Sequence, residues 1–362
     1  MTTSHPDIAV LDLEGTPDQI GVAHGEAQRE QIRQYTDRFL GWVTSRAAIP
    51  LTEQTLWDSW APQVAVNERL APDLIAEMRG IARGAGVPFE RIFLLNSLLD
   101  LVRFRYLPMS QTGCSTFGLV SEAGTGRTLL GQTYDLPQLH QDYLVLMRIR
   151  PEKGPRQLVF SFAGVVGAGG QNEAGIGVCI NFLSPLDVGT GRLHSVVVRQ
   201  ILAGENLADA LGSPVVVPRA GGAHFLIADR EGNVISVETT AQRHAVFYPE
   251  GNVIGHTNHY LSDRLQEIEY IRSDSIGSSL ARYAALRRHF HQVGDQLNLE
   301  SLQQLTRNHT AYPRSICAHG CDGDHHDSRT RTLSAMIHVL DEQVVQITNG
   351  CACENHYHPV SL

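Results

Sequence analysis

Cysteine is scarce in this 362-residue chain, with six residues at positions 114, 179, 317, 321, 351 and 353. They are too few and too unevenly placed for a disulfide framework, so reduced thiols and a cytoplasmic setting are expected. No apolar run reaches the roughly 18 residues a membrane-spanning helix needs. The opening MTTSHPDIAVLDLEG has neither a basic start nor an apolar stretch, so no secretory signal is expected. Positive charge is not in excess: 29 Lys and Arg stand against 38 Asp and Glu, a net charge of -9. That balance argues against nucleic acid or an anionic membrane surface as a partner. Internal repeats and low-complexity linkers are absent too. What remains is an ordinary globular composition, 42% hydrophobic and 19% charged, with material for a sizeable core.

Apolar residues return every three and four positions over 18–48 and again over 51–85, predicting helices broken at Pro62 and Pro72. RIFLLNSLLDLV adds a short apolar run, so about the first 110 residues read as mainly helical. The pattern then changes to strands joined by turns: CSTFGLVSE and TLLGQTYDL around EAGTGR, LVLMRIRP and RQLVFSFAG around EKGP, and AHFLIADREGNVISVETT around DREGN. Helical stretches follow at 194–212, 274–293 and 298–307, and RTLSAMIHVL–DEQ–VVQIT closes with one more hairpin. Hairpin connections predict largely antiparallel sheets, and the alternation predicts an α+β layered arrangement with two sheets covered by helices.

Cys114, directly after Gly113, is the residue with the sharpest chemical question. A buried strand-start cysteine acting as a small hydrophobe is the plain alternative. Catalysis needs a base, because a free thiol with a pKa of about 8.5 is mostly protonated at neutral pH, and no CGSCW signature with a downstream His supplies one. Cleavage of the Gly113–Cys114 bond would supply one. The new α-amine, with a pKa of about 7.7–8.0, could deprotonate the side chain of its own residue. Glycine before the cysteine leaves the thiol unobstructed.

GCSTFGLVSEAGTGRTLLGQTYDL resembles the cleavage site and first hairpin of the acyl-coenzyme A:6-aminopenicillanic acid acyltransferase family. That family belongs to the N-terminal-nucleophile hydrolases and is related to penicillin V acylase, bile salt hydrolase and acid ceramidase. The family's Gly-(Gln/Arg)-Asn-x-Asp is met here by Gly131-Gln132-Thr133-Tyr134-Asp135, with Thr133 in place of the usual Asn. NEAGIGVCINF, GHTNHYL, SSLARYAAL, the closing NGCACENHYHPV and the early GVAHGE are similar to further family segments, in order along nearly the whole chain. The resemblance implies a four-layer αββα sandwich, with residues 1–113 as a helical segment released as the smaller chain and 114–362 as the catalytic core. It implies Cys114 as nucleophile, Asp135 as holder of the α-ammonium or orienter of the nucleophile, and Arg282 as a partner of Asp135 or a polariser near the thiolate. It implies Asn258 as an oxyanion donor, a role worth roughly 2.7–4 kcal/mol of barrier. Thr116, Gln132, Tyr134 and Asn181 are then substrate-side residues. Strand alternation puts Thr116 on the same face as Cys114. The plain alternatives are a turn Asn, a strand-end Asp and a solvated helix Arg.

The implied enzyme is a self-processing amidohydrolase or acyltransferase acting on N-acyl amides or acyl thioesters, working as a heterodimer of its own fragments without metal or organic cofactor. The competing constellation is Cys317, His319, Cys321, His325 and His326, with Cys351 and Cys353 beyond them. These residue types suit zinc, but the spacing matches neither CxxC…CxxC nor a Cys2His2 finger, and a polar loop with incidental ligands is the expectation. An unprocessed, metal-stabilised binding protein is the alternative function, and an unprocessed, catalytically silent chain of the same fold is a third.

Overall fold

The computed structural model describes residues 8–47, 49–103, 113–120, 127–271, 275–320 and 329–362. The N-terminal segment opens with a strand, β1 (Ala9–Gly15). Helices α1 (Pro17–Ala27), α2 (Arg29–Arg46), α3 (Glu53–Trp60), α4 (Pro62–Leu70), α5 (Pro72–Ala85), α6 (Phe89–Asn96) and α7 (Leu98–Arg103) follow. Pro62 and Pro72 each begin a helix, where a missing N–H costs nothing. Thr16 and Thr52 close capping boxes on α1 and α3.

The core continues with β2 (Ser115–Leu119), β3 (Leu129–Pro137), β4 (Leu144–Pro151), β5 (Gln157–Phe162), β6 (Gly169–Asn172) and β7 (Gly177–Phe182). Two helices, α8 (His194–Leu202) and α9 (Leu207–Val215), precede β8 (Ala223–Ala228), β9 (Val234–Thr239), β10 (His244–Phe247) and β11 (Val253–His256). The chain ends through α10 (Asp263–Gln266), α11 (Ile276–Val293), α12 (Leu299–Leu305), β12 (Thr330–Val339), β13 (Val344–Ile347) and β14 (His358–Ser361). Asn206 caps α9, as its place before the helix suggests.

Among the described residues the strands form two sheets, ordered β1-β4-β5-β6-β7-β8-β9-β10 and β11-β2-β3-β12-β13-β14. All named pairings are antiparallel except β1 with β4. The mainly helical N-terminal segment thus also supplies one strand, and the largely antiparallel larger sheet carries one parallel pairing. β1 is short and half exposed, and its partner lies some 130 residues later, so no local pattern marks it.

The two sheets pack face to face. On β2, Gly118 faces Val234 and Leu226 of the larger sheet, while Phe117 and Leu119 turn the other way into a cluster with Ala285 and Leu286 of α11. On β7, Cys179 joins Leu130 and Leu226 between the sheets, while Val178 and Ile180 share a cluster with Val197 and Ile201 of α8. Period-2 alternation thus serves two different covers at once, and the result is the expected four-layer αββα sandwich.

Candidate active site

Cys114 sits one residue before β2, at the edge between the two sheets, and is buried with Gly113. Its backbone is gripped on both sides. The Cys114 N–H donates to Asn258 Oδ1 at 2.8 Å. Its carbonyl accepts from Asn181 Nδ2 at 2.8 Å and from Arg282 Nη1 at 2.7 Å. Its Sγ lies 4.0 Å from the Asp135 carbonyl oxygen. Burial, then the neighbouring Asp135 charge, push the thiol up to about 12 in the continuous chain.

Arg282, four-fifths of a turn beyond Ser279 on α11, is fully buried, so it is no solvated helix charge. Its guanidinium also donates to Ser115 Oγ (3.2 Å), Asn258 Oδ1 (2.9 Å) and Ser278 Oγ (3.2 Å). It therefore binds the Cys114 backbone rather than pairing directly with Asp135. Burial lowers its pKa, while Asp135 and Cys114 act in the opposite direction.

Asp135 ends β3 next to a bulge in β12 between Thr332 and Ser334. Its Oδ1 accepts from Thr332 Oγ1 at 2.8 Å, and its Oδ2 is buried without a partner. Desolvation raises this carboxyl well above the usual range. An unpartnered buried polar atom is costly on stability grounds alone.

Asn258 lies on the turn after β11. Its own N–H donates to Ser279 Oγ (2.8 Å), and its side-chain Nδ2 donates to the Phe182 carbonyl (3.0 Å). In the uncleaved chain Asn258 is thus an acceptor toward Cys114, and the donor group expected to face an oxyanion is occupied. Glu238 on β9 anchors the turn, accepting from the Leu261 and Ser262 N–H groups and facing His256 Nε2 at 2.8 Å.

The substrate-side residues divide. Thr116 and Asn181 meet across the sheet interface, with Thr116 Oγ1 donating to Asn181 Oδ1 at 2.7 Å. Gln132 instead ties the sheets together: Nε2 donates to the Ile180 carbonyl (2.7 Å) and Oε1 accepts from Ile180 N–H (3.0 Å). Tyr134 is buried in the aromatic core against Phe160 and Phe162. Thr133 accepts from Ser115 N–H at 3.3 Å.

Behind these residues lies a layer of polar side chains that the sequence marks only in part. His224 Nδ1 faces Asn181 Oδ1 at 2.7 Å and its Nε2 faces Ser236 Oγ at 2.8 Å. The ring stacks on His256 at 3.7 Å between centroids. Burial, then the proximity of His256, hold His224 well below its ordinary pKa, so its neutral ring can donate through Nδ1. His256 stood inside GHTNHYL, a usable signal. Glu238 and His224 had none, because their partners lie on strands far away in sequence. Of the Cys/His-rich residues, Cys317, His319, Cys351 and Cys353 come together, while Cys321, His325 and His326 lie outside the described residues. So do residues 121–126 of the expected EAGTGR turn.

The arrangement is one in which two side-chain amides and a guanidinium grip the backbone unit of one buried cysteine. The model of the acyl-coenzyme A:6-aminopenicillanic acid acyl-transferase family matches residues 122–352. The Emericella nidulans protein named acyl-coenzyme A:6-aminopenicillanic-acid-acyltransferase 40 kDa form is 24% identical over 311 residues, covering 85% of this chain and 84% of that protein. An uncharacterized Archaeoglobus fulgidus protein is 25% identical over 268 residues, 66% of this chain, which spans only 45% of that relative's length. Among solved structures, a variant of conjugated bile acid hydrolase from Clostridium perfringens aligns with a TM-score of 0.48 and 13% identity, over 68% of this chain and 92% of that one.

Proposed function

The chain belongs to the acyl-coenzyme A:6-aminopenicillanic acid acyl-transferase family, and from that premise we propose that it is a self-processing cysteine enzyme that cleaves or transfers acyl groups of N-acyl amides or acyl thioesters. The observation that carries this reading is the clamp on Cys114: its nitrogen sits 2.8 Å from Asn258 Oδ1 and its carbonyl is held by Asn181 and Arg282. A structural cysteine needs no such fixation of its backbone.

In the first stage Cys114 Sγ attacks the Gly113 carbonyl carbon. The C–N bond breaks as the nitrogen takes up a proton, leaving a thioester and a free α-amine. Water then hydrolyses the thioester, giving the Gly113 carboxylate and the Cys114 thiol. In the second stage the α-amine accepts the thiol proton, the thiolate attacks the substrate carbonyl, and the same proton goes to the leaving amine. Water or an acceptor amine releases the acyl group from Cys114. Asn258 accepts from the α-amine as it now accepts from the amide. Asp135, whose buried carboxyl holds its proton unusually firmly, becomes the balancing carboxylate only once the new α-amine takes that proton. Catalysis in this scheme runs on the chain's own groups, and the free state of the five described cysteines suits a reducing, cytoplasmic compartment.

The two fragments, of 113 and 249 residues, should remain one particle. The smaller one contributes β1 to the larger sheet. Its Glu77 holds Arg199 through two buried contacts at 2.7 and 3.1 Å, and its Asp100 meets His194 at 2.8 Å. The test is the denatured mass of purified protein beside Cys114→Ala. Two fragments, the second starting at Cys114, that co-elute under native conditions are expected, with the variant intact at 39.8 kDa. A Cys114→Ala protein that still cleaves and still turns over acyl amides would falsify the reading.

A further inference from the structure

Outside the active site, four side chains from two distant stretches point their ligand atoms at one spot. His309 and His319 face each other through Nε2 at 3.1 Å. Cys317 Sγ lies 3.6 Å and Cys353 Sγ 3.3 Å from His319 Nε2, and the two sulfurs are 3.5 Å apart. All four atoms lie within 4.8 Å of one another. Two neutral imidazole nitrogens at that distance need a shared proton or a shared cation, and two thiols add lone pairs at the same point.

These four spacings match four of the six edges of a tetrahedron, and the other two are within 4.8 Å. Zinc bonds of about 2.3 Å to sulfur and 2.0–2.1 Å to nitrogen set edges of roughly 3.8 Å (S–S), 3.6 Å (S–N) and 3.3 Å (N–N). The observed values fall within a few tenths of an ångström of each. The surroundings fit as well. His319 turns its other nitrogen, Nδ1, to Glu354 Oε1 at 3.3 Å, the carboxylate support that orients a metal-bound imidazole. Arg331 Nη2, 3.1 Å from Glu354 Oε2, in turn holds that carboxylate. The ligands ride on tight backbone: Cys317 N–H donates to the Asn308 carbonyl and His319 N–H to the Pro313 carbonyl.

We propose that His309, Cys317, His319 and Cys353 bind one structural zinc ion. Four protein ligands close the coordination shell, so the ion has no open position for a substrate. Its place explains its use. It joins the loop before β12 to the turn before β14. That loop's Ala318 N–H donates to Thr332 Oγ1, the group that in turn donates to Asp135. The zinc thus braces, at two removes, the strand end that carries the active-site carboxyl. The proposal stands independently of cleavage at Gly113.

Metal analysis of protein purified in reducing, chelator-free buffer should find about one zinc per chain. His309→Ala and Cys353→Ser should lose it, while Cys179→Ser, whose sulfur lies between the two sheets with Leu130 and Leu226, should keep it. Should the ligand variants fail to fold, cobalt(II)-substituted wild type decides: the spectrum of a tetrahedral site with two thiolates supports the assignment. A six-coordinate cobalt spectrum, zinc retained in both ligand variants, metal-free reduced wild type, or a Cys317–Cys353 disulfide in its place each overturns it.

Discussion

Gly113 has no side chain where Arg282 leaves no room for one. A Cβ there would lie 2.8 Å from Nη2 and 3.1 Å from the guanidinium carbon, and the guanidinium is fixed by Cys114, Ser115, Asn258 and Ser278. Alanine would push this group off the Cys114 carbonyl. A misplacement on the order of 1 Å can cost about 100-fold in rate, so Gly113→Ala should slow self-cleavage by roughly 10- to 100-fold, followed as loss of the intact band on a denaturing gel. Unchanged processing would show that Arg282 is not positioned for this step. The same residue scale gives a pH dependence. The thiol before cleavage is held at about 12, so its thiolate fraction grows about tenfold per pH unit below that value. Processing of freshly unmasked precursor should therefore accelerate from pH 6 to pH 9, and a flat profile would mean that the neutral thiol attacks.

Helices α1 and α5 touch backbone to backbone, which explains GVAHGE better than any catalytic role. Gly21 and Gly25 of α1 oppose Gly80 and Gly84 of α5, and a Cβ on Gly84 would land on the Val22 carbonyl and 2.9 Å from Glu26 N. Intrinsic propensity favours alanine in a helix by about 1 kcal/mol, but overpacking against unyielding backbone costs typically 1–3 kcal/mol. Gly84→Ala should therefore lower the unfolding free energy, whereas Gly41→Ala in α2, with open space around it, should raise it. Equal gains in both, read from urea midpoints, would mean that the α1–α5 contact gives way. Elements also show where sequence was informative. Hairpins such as β8–β9 carry their partner next door, and the proline-started helices carry their own boundaries. Asn258, Arg282 and Asp135 could be singled out because motifs kept them in order. β1, Glu238 and His224 could not, because each meets partners remote in the chain, and pairing across remote strands leaves no local period. His309 is hidden for the same reason, 44 residues before Cys353.

At the scale of the whole molecule, burial has neutralised an unusual number of histidines. Burial is the first cause in each case: His24, His259 and His338 fall to about 4, His140 to about 3, and His224 lies well below its ordinary value. In the unfolded chain each titrates near 6.5. Between those values the unfolded chain binds protons that the native chain refuses, so the stability these residues allow is present above about pH 6.5 and is lost as pH falls toward 4. Two carboxyls oppose them. Asp135 is raised well above its usual value and Glu269 to about 7, both mainly by burial, so the native chain keeps protons there that the unfolded chain releases above about 4.3. With His289, which burial also lowers, six histidines outnumber the two acids, and each uncompensated one contributes up to about 1.4 kcal/mol per pH unit. Denaturant midpoints of Cys114→Ala, which the proposed processing would leave in one piece, should therefore drop steeply from pH 7 to pH 5. His338 has one polar contact, Gln171 Oε1 at 3.2 Å, so His338→Asn in that background should flatten the slope by about one proton. Midpoints that hold level across this range would mean that the buried rings take up protons without unfolding, and that the interior between the sheets admits charge.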